Sequence, residues 1–327
     1  MQTIHPEVRK IAEEIMSMRI RGAGKIAQAG VKALLLTSRF SKADDISSFI
    51  RELDSTSELL INTRPTAVSL PNAIKYVVKR VKDSRDTFKN VDEVKAITIS
   101  LASKFIEESE KAVNLIGEIG AKRVEDRDVL LTHCNSEAAL SIILTAWKMG
   151  KNIQVYVTET RPRFQGRETA GKLGKAGIPT FLIVDSAVRF FMNKISKVVV
   201  GSDAIAANGA VVNKIGTSMI ALASKEFRIP FYVAAESYKF SPEAASGDFI
   251  KIEERSSSEV VPENDLKRLS GVTILNPAFD VTPPEYIDII ITEKGIISPQ
   301  AAAYFFQQEF GWSVLEEFKQ PKIIEED

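Results

Sequence analysis

Hydrophobic and polar positions follow two rhythms along this chain of 327 residues. In the first part apolar residues recur at the spacing of a single helix face, as Val8, Ile11 and Ile15 do. The spacing predicts helices over Pro6–Ile20, Lys25–Phe40, Asp45–Asn62, Asn72–Val81 and Val91–Ile119. Gly120 follows as a candidate C-terminal cap. Arg21-Gly22-Ala23-Gly24 and Thr63-Arg64-Pro65 interrupt the pattern, and no strand signal appears before residue 128.

Beyond that point short apolar runs alternate with helical segments. The runs Val129–Thr132, Ile153–Val157, Thr180–Val184, Lys197–Val200, Pro230–Ala234 and Ile287–Thr292 read as strands. Glu137–Met149, Gly166–Ala176, Ala187–Lys194, Gly216–Glu226 and Pro299–Glu309 read as helices. Such alternation predicts a parallel sheet covered by helices on both faces. The expected class is therefore α/β: an N-terminal helical domain, 1–120, followed by a parallel-sheet domain, 121–327. The polar, proline-bearing stretch from Glu236 to Pro284 reads as a long loop system with room for short strands.

Composition narrows the functions available. Hydrophobic residues make up 44% and charged residues 26%, and 43 Lys+Arg balance 43 Asp+Glu. A chain without net positive charge lacks the broad basic surface that nucleic acid requires, so no nucleic-acid partner is expected. A single cysteine rules out a disulfide framework within the chain and a cysteine-cluster metal site, and two histidines leave little for a histidine one. No metal and no cofactor are expected. No apolar stretch reaches bilayer-spanning length and the N-terminus lacks a signal-peptide core, so no membrane association and a cytoplasmic location are expected.

Candidate chemistry gathers at strand ends. In an open parallel sheet the carboxyl ends of the strands line one crevice, where ligands bind. Cys134 lies just past the run Val129–Thr132 and just before the helical run that contains Ser136, Glu137 and Ala138. Free cysteine is commonly an inert packing residue, but a helix start favours a thiolate. Asp203 lies just past Lys197–Val200, as an acid for the same crevice or as a capping or salt-bridged carboxylate. Anion contacts are expected from several basic segments. Arg21-Gly22-Ala23-Gly24 is either a phosphate cradle or a plain turn. Arg64 offers a second clamp, and Arg161, Arg163 and Arg167 sit beside Gln165 and Gly166 after the second strand. Asn213 and Lys214 precede a helix, and Lys239 follows the run Pro230–Ala234. Asp280, within Asn276–Pro284, either orients a hydroxyl or caps a turn.

Long ordered motifs tie these residues together: Glu159-Thr160-Arg161-Pro162 with Gln165-Gly166, Gly201-Ser202-Asp203 with Asn208-Gly209, Asn213-Lys214-Ile215-Gly216-Thr217, and Asn276-Pro277-Ala278-Phe279-Asp280-Val281-Thr282-Pro283. From about Met18 to about Trp312 the chain resembles the superfamily of initiation factor 2B regulatory subunits, methylthioribose-1-phosphate isomerases and archaeal ribose-1,5-bisphosphate isomerases. The regulatory subunits generally lack the Cys–Asp pair that the isomerases carry. Arg21-Gly22-Ala23-Gly24-Lys25-Ile26, Thr63–Asn72 and Thr132-His133-Cys134 look like the bisphosphate isomerases, whereas methylthioribose-phosphate isomerases typically read Arg-Gly-Ala-Pro at the first loop. Asn135 and Ser202 depart from the residues expected there, His and Ala. The resemblance implies a Rossmann-like second domain and a cytoplasmic homohexamer built as a trimer of dimers. It implies a sugar bisphosphate as substrate, with Cys134 as base and Asp203 as acid. It also implies substrate contacts from Arg21, Gly22, Ala23, Gly24 and Arg64, from Ser136, Glu137 and Ala138, and from Arg161, Gln165, Gly166, Asn213, Lys214 and Lys239.

Overall fold

The structure is a computed structural model that describes residues 4–20, 22–64, 67–241, 250, 252–266 and 268–310. The chain divides into two compact units, residues 1–112 and 113–327, and the division falls inside a long helix.

The first unit is helical: α1 (Pro6–Met16), α2 (Ala23–Phe40), α3 (Ile46–Thr63), α4 (Ser69–Asp83) and most of α5 (Val91–Ala121). Two of the starts carry a clear local signal. Pro6 opens α1, where a missing N–H costs nothing, and Asp45 caps α3 by accepting the Ser48 N–H at 2.9 Å. α4 begins earlier than its apolar pattern indicates, because Pro71 sits in its first turn, where proline is tolerated. Val8, Ala12 and Ile15 of α1 are buried, as are Ile26, Ala27, Val31 and Leu34 of α2. Gly30 lets α2 approach α4, since a Cβ there would overlap the Leu70 side chain.

The second unit is built on a seven-stranded sheet. Its strands are β1 (Val129–Thr132), β2 (Gln154–Thr158), β3 (Thr180–Ile183), β4 (Lys197–Gly201), β7 (Phe231–Ala234), β10 (Ile289–Thr292) and β11 (Gly295–Ile297). Their order is β11-β10-β7-β4-β1-β2-β3, parallel except for the β10–β11 hairpin. Starting at β1 the chain winds outward through β2 and β3, then returns to β4 on the other side. The switch point therefore lies between β1 and β4, whose pairing matches Leu131 to Val198. Helices α6 (Glu137–Lys148), α7 (Gln165–Lys175), α8 (Val188–Phe191), α9 (Thr217–Phe227) and α11 (Ala302–Phe310) make the crossovers and the closing segment. The strands are apolar on both faces, and two buried clusters flank the sheet: Leu131, Val198, Val200 and Phe231 in one, Leu130, Val155, Val199 and Ile291 in the other.

A smaller four-stranded sheet pairs β8 (Phe240–Ser241), β5 (Ala204–Ala206), β6 (Val211–Lys214) and β9 (Phe279–Thr282) in that order. Asn208-Gly209 forms the β5–β6 turn, with the Gly209 N–H donating to the Ala206 carbonyl at 2.9 Å. The region expected as a loop system thus contributes two strands of this sheet and the short helix α10 (Glu263–Leu266). Gly120 is not a cap. α5 runs through it to Ala121, and a Cβ there would overlap Ile142 of α6.

Candidate active site

Two loops leave the switch point on either side. Cys134 follows β1 with one residue between, and Asp203 follows β4 in the same way. Gly201 lets them come close, since a Cβ on it would overlap Ser136. Lys214, the last residue of β6, completes the group: its charge is felt by Cys134, and the charges of Cys134, Asp203 and Arg255 are all felt by Lys214. The Lys214 ammonium donates to the Ala278 carbonyl at 2.9 Å and stands 4.5 Å from the Phe279 ring centroid. Burial lowers its pKa, against the pull of Cys134 and Asp203.

The expectation that a helix start ionises Cys134 is not met. α6 begins only at Glu137, capped by Ser136, whose hydroxyl accepts the Ala139 N–H at 3.3 Å. Cys134 stands three residues before that start, and burial pushes its thiol up to about 11 from an ordinary 9.0. Lys214, the Asn135 N–H and Arg255 pull the other way without winning. The resting site therefore holds Cys134 as a thiol.

Beneath it lies His133, buried and bonded at both ring nitrogens. Nε2 is 2.9 Å from the Ile215 carbonyl, which can only accept, so Nε2 carries the proton. Nδ1 then accepts from Thr158 Oγ1 at 2.6 Å. Burial lowers the pKa of His133 to about 4, so the ring is neutral at neutral pH. Asp280 sits where β9 meets α9 and accepts the Gly216 N–H at 2.7 Å and the Ser218 N–H at 3.1 Å. Those bonds make it a cap for α9, and burial raises it to about 6 despite those donors. Asn213 is buried beside it, donating to Thr217 Oγ1 at 3.1 Å.

At the end of β7, Lys239 is buried against Glu236 at 2.6 Å, and the Tyr238 hydroxyl donates to the other Glu236 oxygen at 3.2 Å. Glu137 is near enough for its charge to act on Tyr238. Ala138 is buried in the core behind the helix start. The arginines after β2 are engaged within the protein. Arg161 donates to the Val260 carbonyl at 3.0 Å, Arg163 stands 3.6 Å from Glu259, and Arg167 bonds Glu159 at 3.0 Å while lying over Phe164. Gly166 has a packing role, as a Cβ there would overlap the Thr158 carbonyl. Gln165 keeps a buried side-chain oxygen without a hydrogen-bond partner. In the first unit, Gly22 has φ 93° and precedes α2, Ala23 and Gly24 lie in the first turn of that helix, and Arg64 ends α3. Arg21 lies outside the described residues.

Arg255, paired with Glu253 at 3.1 Å, escaped the sequence reading. It lies in a loop without periodicity, and only the fold brings it within electrostatic reach of Cys134. Among the described residues there is no cluster suited to a metal ion and no helix long and apolar enough to cross a membrane.

A switch-point crevice carrying a thiol, a carboxylate and buried cations has the chemistry to take a small anionic ligand, as crevices of α/β proteins do. The Initiation factor 2 subunit family matches residues 19–299, and the chain belongs to that family. Ribose 1,5-bisphosphate isomerase of Thermococcus kodakarensis is 51% identical over 94% of this chain and 96% of that one. Methylthioribose-1-phosphate isomerase of Geobacter metallireducens is 42% identical over 89% of this chain and 87% of that one. The crystal structure of Pyrococcus horikoshii translation initiation factor eIF-2B superposes with a TM-score of 0.77 at 34% identity, covering 90% of this chain and 98% of that one.

Proposed function

We propose that the chain is an isomerase that converts α-D-ribose 1,5-bisphosphate to D-ribulose 1,5-bisphosphate. The isomerase class rests on the relatives; the observation that carries the chemistry is the meeting of Cys134 and Asp203 across the β1–β4 switch point, with Lys214 in reach of both. The phosphate on C1 blocks simple hemiacetal opening. An acid must protonate the ring oxygen as the C1–O bond breaks, and a base must remove the proton from C2. Asp203 supplies the first proton and Cys134 takes the second, leaving an enol 1-phosphate with a C1=C2 double bond. Cys134 then returns a proton to C1 while the C2 hydroxyl gives its proton back to Asp203, which leaves a ketone at C2. Both phosphates stay in place and the enzyme ends as it began, so proton transfer accounts for the whole conversion.

The active form has the proton on Asp203 and the charge on Cys134. It carries one proton between the two groups, as does the thiol–carboxylate form, so the pair reaches it by moving a proton internally. Lys214 steadies the oxyanion that develops at C2. Within the second unit Arg161, Asn213, Lys214 and Lys239 hold the phosphates, with Ser136, Glu137, Ala138, Gln165 and Gly166 shaping the sugar site. The same reading makes the protein a cytoplasmic homohexamer, a trimer of dimers, in archaeal nucleotide salvage that feeds Rubisco.

The test is incubation with α-D-ribose 1,5-bisphosphate and detection of the product by coupling to Rubisco. The bisphosphate should exceed ribose 1-phosphate, ribose 5-phosphate and methylthioribose 1-phosphate in kcat/KM by at least about 100-fold, because remote phosphate binding is spent on positioning the reacting carbon. Methylthioribose 1-phosphate as the best substrate would replace this reading with the other isomerase. No turnover of any of the four would leave a non-catalytic subunit.

A further inference from the structure

Cys134 has φ 64°, in the left-handed region that a residue with a Cβ occupies only when its surroundings hold it there. Side chains supply that hold. Its N–H donates to Thr160 Oγ1 at 2.9 Å, and its carbonyl accepts from Thr169 Oγ1 at 2.8 Å. Both hydroxyls come from the segment that follows β2, and both side chains stand on firm mounts. Thr160 is fully buried, is itself left-handed at φ 62°, and donates its own N–H to Asp185 Oδ1 at 2.8 Å. The other Asp185 oxygen accepts the Arg161 N–H at 2.7 Å. Thr169 is buried in α7, a helix seated against β2 through Gly166.

We propose that Thr160 and Thr169 are positioning residues for Cys134: their hydroxyls clamp its N–H and carbonyl, hold the left-handed conformation, and so fix where the Cα–Cβ bond points Sγ. The proposal rests on the role given to Cys134 above, but it concerns that residue's backbone and not the identity of the substrate. Two separate hydroxyls are used because a single bond would leave the peptide on the other side free to rotate. In a right-handed or extended conformation the same residue would direct its sulfur elsewhere, away from the reacting carbon.

Thr160→Val and Thr169→Val remove each hydroxyl at nearly constant volume, and Thr160→Ser and Thr169→Ser restore it. Each valine variant should lose about 10- to 100-fold in kcat with KM within about threefold, as expected when a reacting group is misplaced while substrate binding is kept. Each serine variant should stay within about threefold of the parent in kcat. Since Cys134 is the only cysteine, its carbamidomethylation by iodoacetamide, followed by intact mass, reports its placement without any substrate. That rate should rise at least about threefold in the valine variants, as the released loop gives the thiol more access, and not in the serine ones. Folded valine variants with the parent's kcat and alkylation rate would overturn the proposal, even with a lowered melting temperature. If a valine variant does not fold, Asp185→Asn, which loosens Thr160 only through its main chain, carries the same expectation and the same refutation. Should the parent not turn over the bisphosphate, the functional reading falls, and the alkylation rates alone decide the positioning.

Discussion

Proton placement governs this site at the scale of single residues. Burial around Cys134 outweighs the pull of Lys214 and Arg255, and its thiol rests at about 11. If one proton is shared between Cys134 and Asp203, kcat/KM follows the singly protonated pair and stays level between its two ionisations. The thiol proton should therefore be lost only near pH 11 and not near the ordinary 9.0, while any earlier fall in activity belongs to Lys214, whose pKa burial lowers from 10.5. The pH profile of Cys134 alkylation by iodoacetamide checks this, and a rate that levels off near pH 9 would show that the cations win in solution. Sequence had shown where Cys134 and Asp203 lie, because apolar runs ending in reactive side chains are local signals. It misjudged the charge of the thiol, because desolvation depends on everything packed around a group. The partners of the arginines after β2 were hidden for a similar reason. Arg163 meets Glu259, which lies far away along the chain, and no local pattern marks that partner.

At the scale of elements, β1, β2, β9 and α9 are bound together by two buried titratable groups with opposite leanings. His133 ties the end of β1 to the turn before α9, and Asp280 of β9 caps that helix. His133 falls from 6.5 to about 4 on folding. Between those values the unfolded chain binds more protons, so this term is fully present above pH 6.5 and is lost as the pH falls toward 4. Asp280 rises from 3.8 to about 6, so between those values the folded chain binds more protons and the fold gains stability as the pH falls. Each term is on the order of 3 kcal/mol across its window, and the windows nearly coincide. The two should largely cancel in the parent. Asp280→Asn, which keeps an acceptor for the cap, should expose the histidine term, with urea-unfolding stability dropping by about 3 kcal/mol from pH 6.5 to pH 4 beyond any change in the parent. His133→Gln should reverse that slope. Matching slopes in all three proteins would contradict the account.

Six strands of the large sheet were legible as continuous apolar runs, and the short antiparallel edge strand β11 was not. The β5–β6 hairpin was not. Ala204–Ala206 is too short and too small to show alternation, and only its Asn208-Gly209 turn stood out. The segment Ala187–Lys194 has helical periodicity, yet only Val188–Phe191 is α-helix, with 3-10 turns on either side.

At the scale of the whole molecule, alternation alone pointed to the class of the second unit, and the observed order places the switch point between the two strands that carry the reactive pair. The change of rhythm suggests two domains, since helical spacing and strand–helix alternation do not overlap. The helix α5 itself was read to within two residues, but the division inside it was harder to read. A continuous amphipathic helix shows no break where one unit ends, and the division inside it follows from packing that its own sequence does not display.

The central claim is that Cys134 and Asp203 move protons on a sugar whose two phosphates remain attached. ³¹P NMR of α-D-ribose 1,5-bisphosphate with the parent, Cys134→Ser and Asp203→Asn tests it most directly. The account predicts that in the parent the anomeric phosphate signal gives way to that of a primary phosphate ester without release of inorganic phosphate. Each variant, folded as judged by an unchanged melting transition, should be slower by about 10²–10⁴-fold, the usual contribution of one acid–base group. Loss of phosphate, absence of conversion by the parent, or a folded variant at the parent's rate would contradict it.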